Sequence, residues 1–395
     1  MTDWKEIESK YYLHVVNRQP IVLVRGEGTK VWDDEGNEYL DFTSGWAVTN
    51  IGHANPVLAE AIAEQASTLI QTSNQFYTVP QLKLAELLVE NSCLDKVFFA
   101  NSGAEANEGA IKNARKWGLQ NRNGASEIIT VSHAFHGRTL NTMAAGDKPI
   151  DDFAPVPQGF VNVEYGDIEA IMFATTEKTA AVMMEPVQGE GGVNIPTQDY
   201  LRGVRQWCDD NGLLLIFDEV QTGFGRLGTL FGYEAFGVEP DVMTLAKGLG
   251  GGVPVGAFML KDDAIALVPG DHGSTFGGNV LTTAAAYAST KYIIDNDIPA
   301  HAAKMGHHMR AALGELMGRH DFITDVRGMG LLNAVEFDRE MAAATLTACN
   351  ARGLLLNFTR PQLIRIMPPL TVSESEIDTA VERLEAGLVE AAAST

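Results

Sequence analysis

Cysteine is scarce. Cys93, Cys208 and Cys349 are the only three in 395 residues, and they lie far apart. An odd, scattered set excludes a disulfide framework and the paired spacings of a zinc site. Small buried thiols in a reduced, cytoplasmic protein are expected instead. Positive charge is also in deficit: 29 Lys and Arg face 51 Asp and Glu, a formal net charge of −22. Such a field repels phosphate backbones and anionic lipid, so neither nucleic acid nor a membrane surface is an expected partner. No apolar run approaches the roughly 20 residues that cross a bilayer. The opening MTDWKEIESK is polar and charged, so no signal peptide is expected. Internal repeats, low-complexity tracts, a Walker A loop and a G-x-S-x-G elbow are all missing.

What is present is ordinary globular composition, 45% hydrophobic and 20% charged, with length for a large core. From Val97 onward short apolar runs alternate with helix-like stretches. The runs are VFFA (97–100), EIITV (127–131), AVMME (181–185), LLLIF (213–217), VMTLA (242–246) and GAFML (256–260). Runs of this length between helices suggest strands buried on both faces, hence an α/β fold with a mostly parallel sheet covered by helices. The chain ends differ. VWDDEGNEYLDF predicts a hairpin turning at Asp34-Glu35-Gly36-Asn37, and the last hundred or so residues hold Ala-rich helices and further strands. The expected division is a large domain over 51–274 and a smaller α+β domain built from 1–50 and 275–395.

In open α/β sheets ligands sit at the carboxyl ends of strands, so the polar residues after each run are candidates. Asn101-Ser102-Gly103-Ala104-Glu105 opens a helix, which suits either an anion or an N-cap with a box-like Glu105. Asp218 ends a buried strand and needs a cation or donor; a protonated ring nitrogen, a helix cap or an ion pair would each serve. Lys247 follows an apolar strand and precedes Gly-Leu-Gly-Gly-Gly. It is either a surface cation at a strand end or a desolvated amine primed for Schiff-base chemistry. Phe135 can stack on a planar ligand, and Arg138 can clamp a carboxylate. His136 lacks a second ligand at metal spacing, and no metal is expected. Gly223-Phe224-Gly225-Arg226-Leu227-Gly228 matches the dinucleotide pattern, but five residues separate it from its strand and no clean helix follows.

Nine segments, in order and over nearly the whole chain, carry a resemblance: GEGTKVWDDEGNEYLDF, NSGAEAN, FHGRT, EPVQGEGG, DEVQTGFGR, AKGLGGGVPVGA, HGSTFGGN, RGMGLL and LIRIMPPL. The sequence resembles the class III aminotransferases, fold-type I enzymes dependent on pyridoxal 5'-phosphate, and within them the acetylornithine and ornithine aminotransferases. The resemblance implies that Lys247 holds the cofactor as a Schiff base and shuttles the substrate proton. It implies Asp218 at the pyridine nitrogen, Gln221 at the ring oxygen, Phe135 on the ring face, and Ser102, Gly103 and Ala104 at the phosphate. Thr275 would reach the phosphate of the other subunit, in a homodimer with shared active sites. Arg138 would take the distal carboxylate and Arg365 the α-carboxylate of glutamate. Glu190 would neutralise Arg365 when no α-carboxylate is bound. Trp46 would wall the substrate pocket. His14-Val15-Val16-Asn17-Arg18-Gln19-Pro20 departs from the family, whose members carry an aromatic beside the arginine. The implied reaction moves the terminal amine of N2-acetyl-L-ornithine to 2-oxoglutarate. Ornithine, 4-aminobutyrate, an N-succinyl compound or another ω-amine is the nearest alternative donor. Further away stand a glutamate-semialdehyde aminomutase and a transcription regulator on the same scaffold.

Overall fold

The computed structural model describes residues 2–148 and 150–394. A seven-stranded sheet forms the centre: β1 (Lys96–Ala100), β2 (Glu127–Val131), β3 (Phe160–Val163), β4 (Thr179–Met184), β5 (Leu214–Asp218), β6 (Val242–Leu245) and β7 (Gly256–Leu260), in the order β1-β7-β6-β5-β4-β2-β3. Strands β3, β2, β4, β5 and β6 are parallel. Strand β7 runs against both β6 and β1. Every residue of β4, β5, β6 and β7 is buried. That is why these strands read as unbroken apolar runs rather than alternating ones: helices cover both faces. At about 25 cal/mol per Å² of apolar surface removed from water, each buried Leu or Ile in them contributes roughly 2 kcal/mol.

Helix α1 (Gly103–Asn121) shows why one element sits where the site needs it. The Ser102 side chain accepts from Glu105 N at 3.2 Å, and the Glu105 carboxylate accepts from Asn101 N at 2.6 Å, so both chain directions are capped. The buried face carries small residues, Ala106, Gly109, Ala110 and Ala114. A Cβ at Gly109 would collide with the Phe258 ring, so this closeness to β7 requires glycine. The helix start is thereby pressed onto the carboxyl edge of the sheet.

The chain ends build two smaller sheets. Leu23–Glu27, Lys30–Asp33 and Glu38–Asp41 form antiparallel ladders, with the expected turn between the last two, and Leu354–Leu355 adds in parallel. The second sheet is antiparallel: β8 (Ile323–Met329), β9 (Leu332–Phe337), β10 (Asn357–Arg360) and β11 (Leu363–Ile366), in the order β8-β9-β11-β10. Ala334 on β9 pairs with Arg327 on one side and Arg365 on the other, and Arg365 pairs with Asn357. Side chains opposite one another share a face, so these four form one row. One apolar cluster runs from Leu40 along one face of the central sheet to Ala391, and a second, from Ala110 to Ala264, covers the other face. Among the described residues no helix is long and apolar enough to cross a membrane.

Candidate active site

Five loops converge at one edge of the central sheet. Asp218 ends β5, Lys247 follows β6 by two residues, Glu185 follows β4, Phe135 and His136 follow β2, and Ser102 follows β1. Because β7 is reversed, its start meets the same edge, and Val253 and Pro254 wall the site from there. They enclose a cavity of about 280 Å³. Of the expected residues, Ser102, Gly103, Ala104, Phe135, Glu190, Asp218, Gln221 and Lys247 all line it.

Asp218 is 3% exposed and is fixed from three sides. Its Oδ2 accepts from Asn107 Nδ2 at 2.7 Å and lies 2.7 Å from His136 Nδ1, while Oδ1 accepts from Val220 N at 3.0 Å. Asn107 is held by Thr244 Oγ1, which donates to Asn107 Oδ1 at 2.6 Å, and by its own bond to the His136 carbonyl at 2.7 Å. Burial pulls the His136 pKa down, but Asp218 outweighs it and the net direction is upward. His136 Nε2 is buried without a partner. This histidine bears on the Asp218 carboxylate. Among the described residues no cluster of three or more potential metal ligands exists.

Lys247 adopts φ +33°, a left-handed value uncommon for a residue with a side chain. None of the described side chains hydrogen-bonds its amine. Burial lowers its pKa, and Glu190 only partly opposes that shift. Glu185 is buried, and its carboxyl ties two loops together, accepting from Phe135 N at 3.1 Å and Gly189 N at 3.0 Å. Burial, with Asp218 nearby, raises it to about 7. At the start of α1, Gly103 permits contact that a side chain would block, since a Cβ would lie 2.8 Å from Val220 Cγ1. A helix leaves its first N–H groups without intrahelical partners, so Gly103 and Ala104 offer donors and a positive dipole end to an anion.

Across the cavity Glu190 Oε1 meets Arg365 Nη1 at 2.7 Å. Gln221 stitches the pair: its Oε1 accepts from Arg365 Nη1 at 3.1 Å and its Nε2 donates to Glu190 Oε1 at 3.3 Å. Burial by itself would raise the Glu190 carboxyl, but Arg365 and Lys247 hold it down at about 2. Arg365 is 1% exposed. With the Asn357 amide oxygen turned toward it, that oxygen accepts from Arg365 Nη2 at 2.8 Å and from Trp46 Nε1 at 3.3 Å. Trp46 therefore joins the site through Asn357.

Two expected residues stand apart. Arg138 is exposed and lies over the Phe135 ring at 5.3 Å, outside the cavity lining. Thr275 is exposed and lies outside this chain's own cavity; its carbonyl accepts from Gln71 Nε2. The departing segment at 14–20 is exposed and is tethered by Gln19 Nε2 to the Leu356 carbonyl at 3.1 Å. The dinucleotide-like glycines serve another end. Arg226 among them is fully buried and donates to the Leu331 and Pro368 carbonyls and to Asn50 Oδ1.

Sequence reasoning gave no role to His136, Asn107 or Glu185. Asn107 lies four residues into α1 from Gly103, one turn along the same face, and that spacing was the available signal.

A buried acid, a desolvated amine, a stackable aromatic and a helix start suit a planar, ring-protonated aldehyde bearing a phosphate. Such a site on this doubly covered sheet defines a fold-type I enzyme dependent on pyridoxal phosphate. The family model for "Aminotransferase class-III" matches residues 11–388. The chain is 49% identical over 388 residues to the acetylornithine aminotransferase of Methanocaldococcus jannaschii, covering 97% of each. It is 50% identical over 382 residues to that of Methanothermobacter thermautotrophicus, covering 96% of each. Among solved structures, ornithine aminotransferase from Toxoplasma gondii superposes with TM-score 0.96 at 32% identity, over 100% of this chain and 96% of that one. Acetylornithine aminotransferase from Elizabethkingia anophelis superposes with TM-score 0.88 at 35% identity, over 98% of each. The chain belongs to the class III aminotransferases, and it is a pyridoxal-phosphate-dependent aminotransferase.

Proposed function

We propose that this enzyme transfers the terminal amine of N2-acetyl-L-ornithine to 2-oxoglutarate in a ping-pong cycle, yielding the N-acetylated semialdehyde and glutamate. The observation that carries the reading is the Glu190–Arg365 pair at 2.7 Å beside Lys247. A buried guanidinium without a partner costs several kcal/mol. A donor that presents a terminal amine brings no α-carboxylate to the reacting end, so Glu190 supplies the negative charge. When 2-oxoglutarate or glutamate binds, its α-carboxylate takes Arg365 and Glu190 turns away. One cavity then serves two amines. The names of the relatives at 49% and 50% identity support the acetylated donor.

Pyridoxal phosphate supplies an aldehyde for the amine and a ring that draws electrons from the reacting carbon. Asp218, locked by Asn107 and His136, would accept from the ring N–H. Phe135 covers one face of the seat, and Ser102, Gly103 and Ala104 offer donors to the phosphate. Lys247 Nζ, whose pKa burial lowers, takes the proton from the substrate carbon and returns it. Arg138, exposed at the Phe135 ring, receives the distal carboxylate. Thr275 completes the phosphate seat of a second copy in a homodimer. Unpaired thiols, two of them buried, suit a cytoplasmic enzyme.

Ornithine is the second reading, favoured by the superposition on the Toxoplasma enzyme. A steady-state panel of acetylornithine, ornithine and 4-aminobutyrate with 2-oxoglutarate tests the choice. Acetylornithine is expected to give the highest kcat/KM. Turnover of it no better than that of 4-aminobutyrate overturns the reading.

A further inference from the structure

Glu190 sits in a loop that ought to be loose. The segment Gln188-Gly189-Glu190-Gly191-Gly192-Val193-Asn194 surrounds one carboxylate with three glycines. Gly192 takes φ +118° and Val193 φ +54°. The base is closed by Gln188 and Asn194, whose backbones exchange bonds at 3.1 Å. Inside the loop the bonds are long, both Gly192 N and Val193 N reaching the Gly189 carbonyl at 3.4 Å. A switch that must change partners on such a backbone needs a fixed point, or the loop itself would drift and leave Arg365 unpaired.

Glu185 holds the near side of the loop at Gly189 N, 3.0 Å, and Arg327 supplies the fixed point on the far side. From β8 its Nη2 donates to the Gly192 carbonyl at 2.8 Å, and its Nε reaches the Gly192 and Val193 carbonyls at 3.1 Å. The other side of the same guanidinium is gripped by Asp325 and Glu336, each at 2.5 Å from Nη1. The fork is therefore oriented before it meets the loop. Arg327 and Arg365 face each other across Ala334 in one row of the antiparallel sheet. One arginine holds the loop's backbone and the other holds its carboxylate, and both stand on the same rigid surface. Arg360 closes the outer side, since a Cβ at Gly192 would run into its Nη2.

Resting on the reading of Glu190 as the switch, we propose that Arg327 is a positioning residue that sets substrate specificity. It pins the 188–194 loop so that Glu190 exchanges partners by side-chain rotation on a stationary backbone. Arg327 touches no substrate. Its loss weakens the latch over Arg365 and so favours ligands that bring their own α-carboxylate.

The test uses the holoenzyme and its two half-reactions, followed by stopped-flow absorbance with acetylornithine or with glutamate. For Arg327→Met the ratio of kcat/KM for glutamate over that for acetylornithine is expected to rise about tenfold, mostly through a slower acetylornithine half-reaction. Arg327→Lys keeps the charge between Asp325 and Glu336 but loses the fork, so a smaller rise in the same direction is expected, and it carries the test if the Met variant does not fold. Amide hydrogen exchange over residues 189–193 is expected to quicken in both variants while the central sheet stays protected. Glu190→Gln separates the two ideas. If it moves the ratio and the Arg327 variants do not, the clamp is wrong and the switch stands. If Glu190→Gln leaves the ratio unchanged, the switch reading fails; unchanged exchange at 189–193 in the Arg327 variants then removes the clamp as well.

Discussion

His136 holds Asp218 at 2.7 Å through Nδ1, and both side chains are buried. The carboxylate proposed to meet the cofactor ring thus has its orientation dictated from behind. His136→Leu leaves Oδ2 with Asn107 alone and removes a charge-assisted bond worth about 1.5–3 kcal/mol. Cofactor affinity, read by titrating its visible absorbance, is expected to fall about tenfold or more at neutral pH. His136→Asn, which can still donate, is expected to recover part of it. Equal affinity in the wild type and the Leu variant would show that Asp218 needs no such support.

Lys247→Ala is expected to reduce turnover by at least about a thousandfold, because no other described amine lines the cavity to move the proton. The fold is expected to survive. The amine is desolvated and makes no hydrogen bond, so its removal leaves no buried partner orphaned. Thermal melting of the cofactor-free variant checks this, and a Tm well below that of cofactor-free wild type would contradict it.

Glu190→Ala strips the buried Arg365 guanidinium of its carboxylate. Glutamate then binds without having to displace a resident anion, and its KM is expected to drop severalfold. The acetylornithine half-reaction is expected to slow by about tenfold to a hundredfold, since that donor brings nothing to neutralise Arg365. Separate half-reaction kinetics decide it, and a uniform loss in both halves would count against a switch.

Glu219 offers a pH test away from the chemistry. It is fully buried, accepting from Tyr233 N at 2.7 Å and Thr222 Oγ1 at 3.1 Å. Burial raises its pKa from 4.5 to about 7 despite those bonds. The folded state then holds a proton that the unfolded state has released between these values. Its stabilising contribution is full below 4.5 and is lost as pH rises through about 7. Each tenfold difference in proton affinity between the two states is worth about 1.4 kcal/mol. Glu219→Gln lacks this proton. The Tm advantage of wild type over the variant is expected to shrink between pH 5 and pH 8. A gap that widens with pH would refute the assignment.

The fold was legible where burial on both faces left a continuous apolar run, as in β4 through β7. Strand β3 was not, because it lies at the edge of the sheet and its residues are half-buried or exposed. The antiparallel turn of β7 was equally hidden, since its five buried residues carry no mark of direction. In the site, Lys247 and Asp218 announced themselves as charged residues at the mouths of apolar strands. His136 did not: a lone histidine looks the same whether it faces solvent or a carboxylate 82 positions away. Asn107 meets Asp218 across 111 residues; its helical spacing from Gly103 marks its face of α1 but does not name Asp218 as its partner. The partnership of Glu190 with Arg365, 175 residues apart, came from resemblance and not from any local pattern.

The reversal of β7 has a geometric outcome of its own. The chain leaves β6 at Leu245, presents its amine two residues later, turns through Gly250, Gly251 and Gly252, and lines the same cavity again at Val253 to Val255. A Cβ at Gly250 would collide with the Val253 carbonyl, so the bend has no slack. The width of the seat is therefore spanned by a single short stretch of chain tied to adjacent strands at both ends. A one-residue insertion in this stretch is therefore expected to shift the Lys247 amine relative to Val253 and Val255.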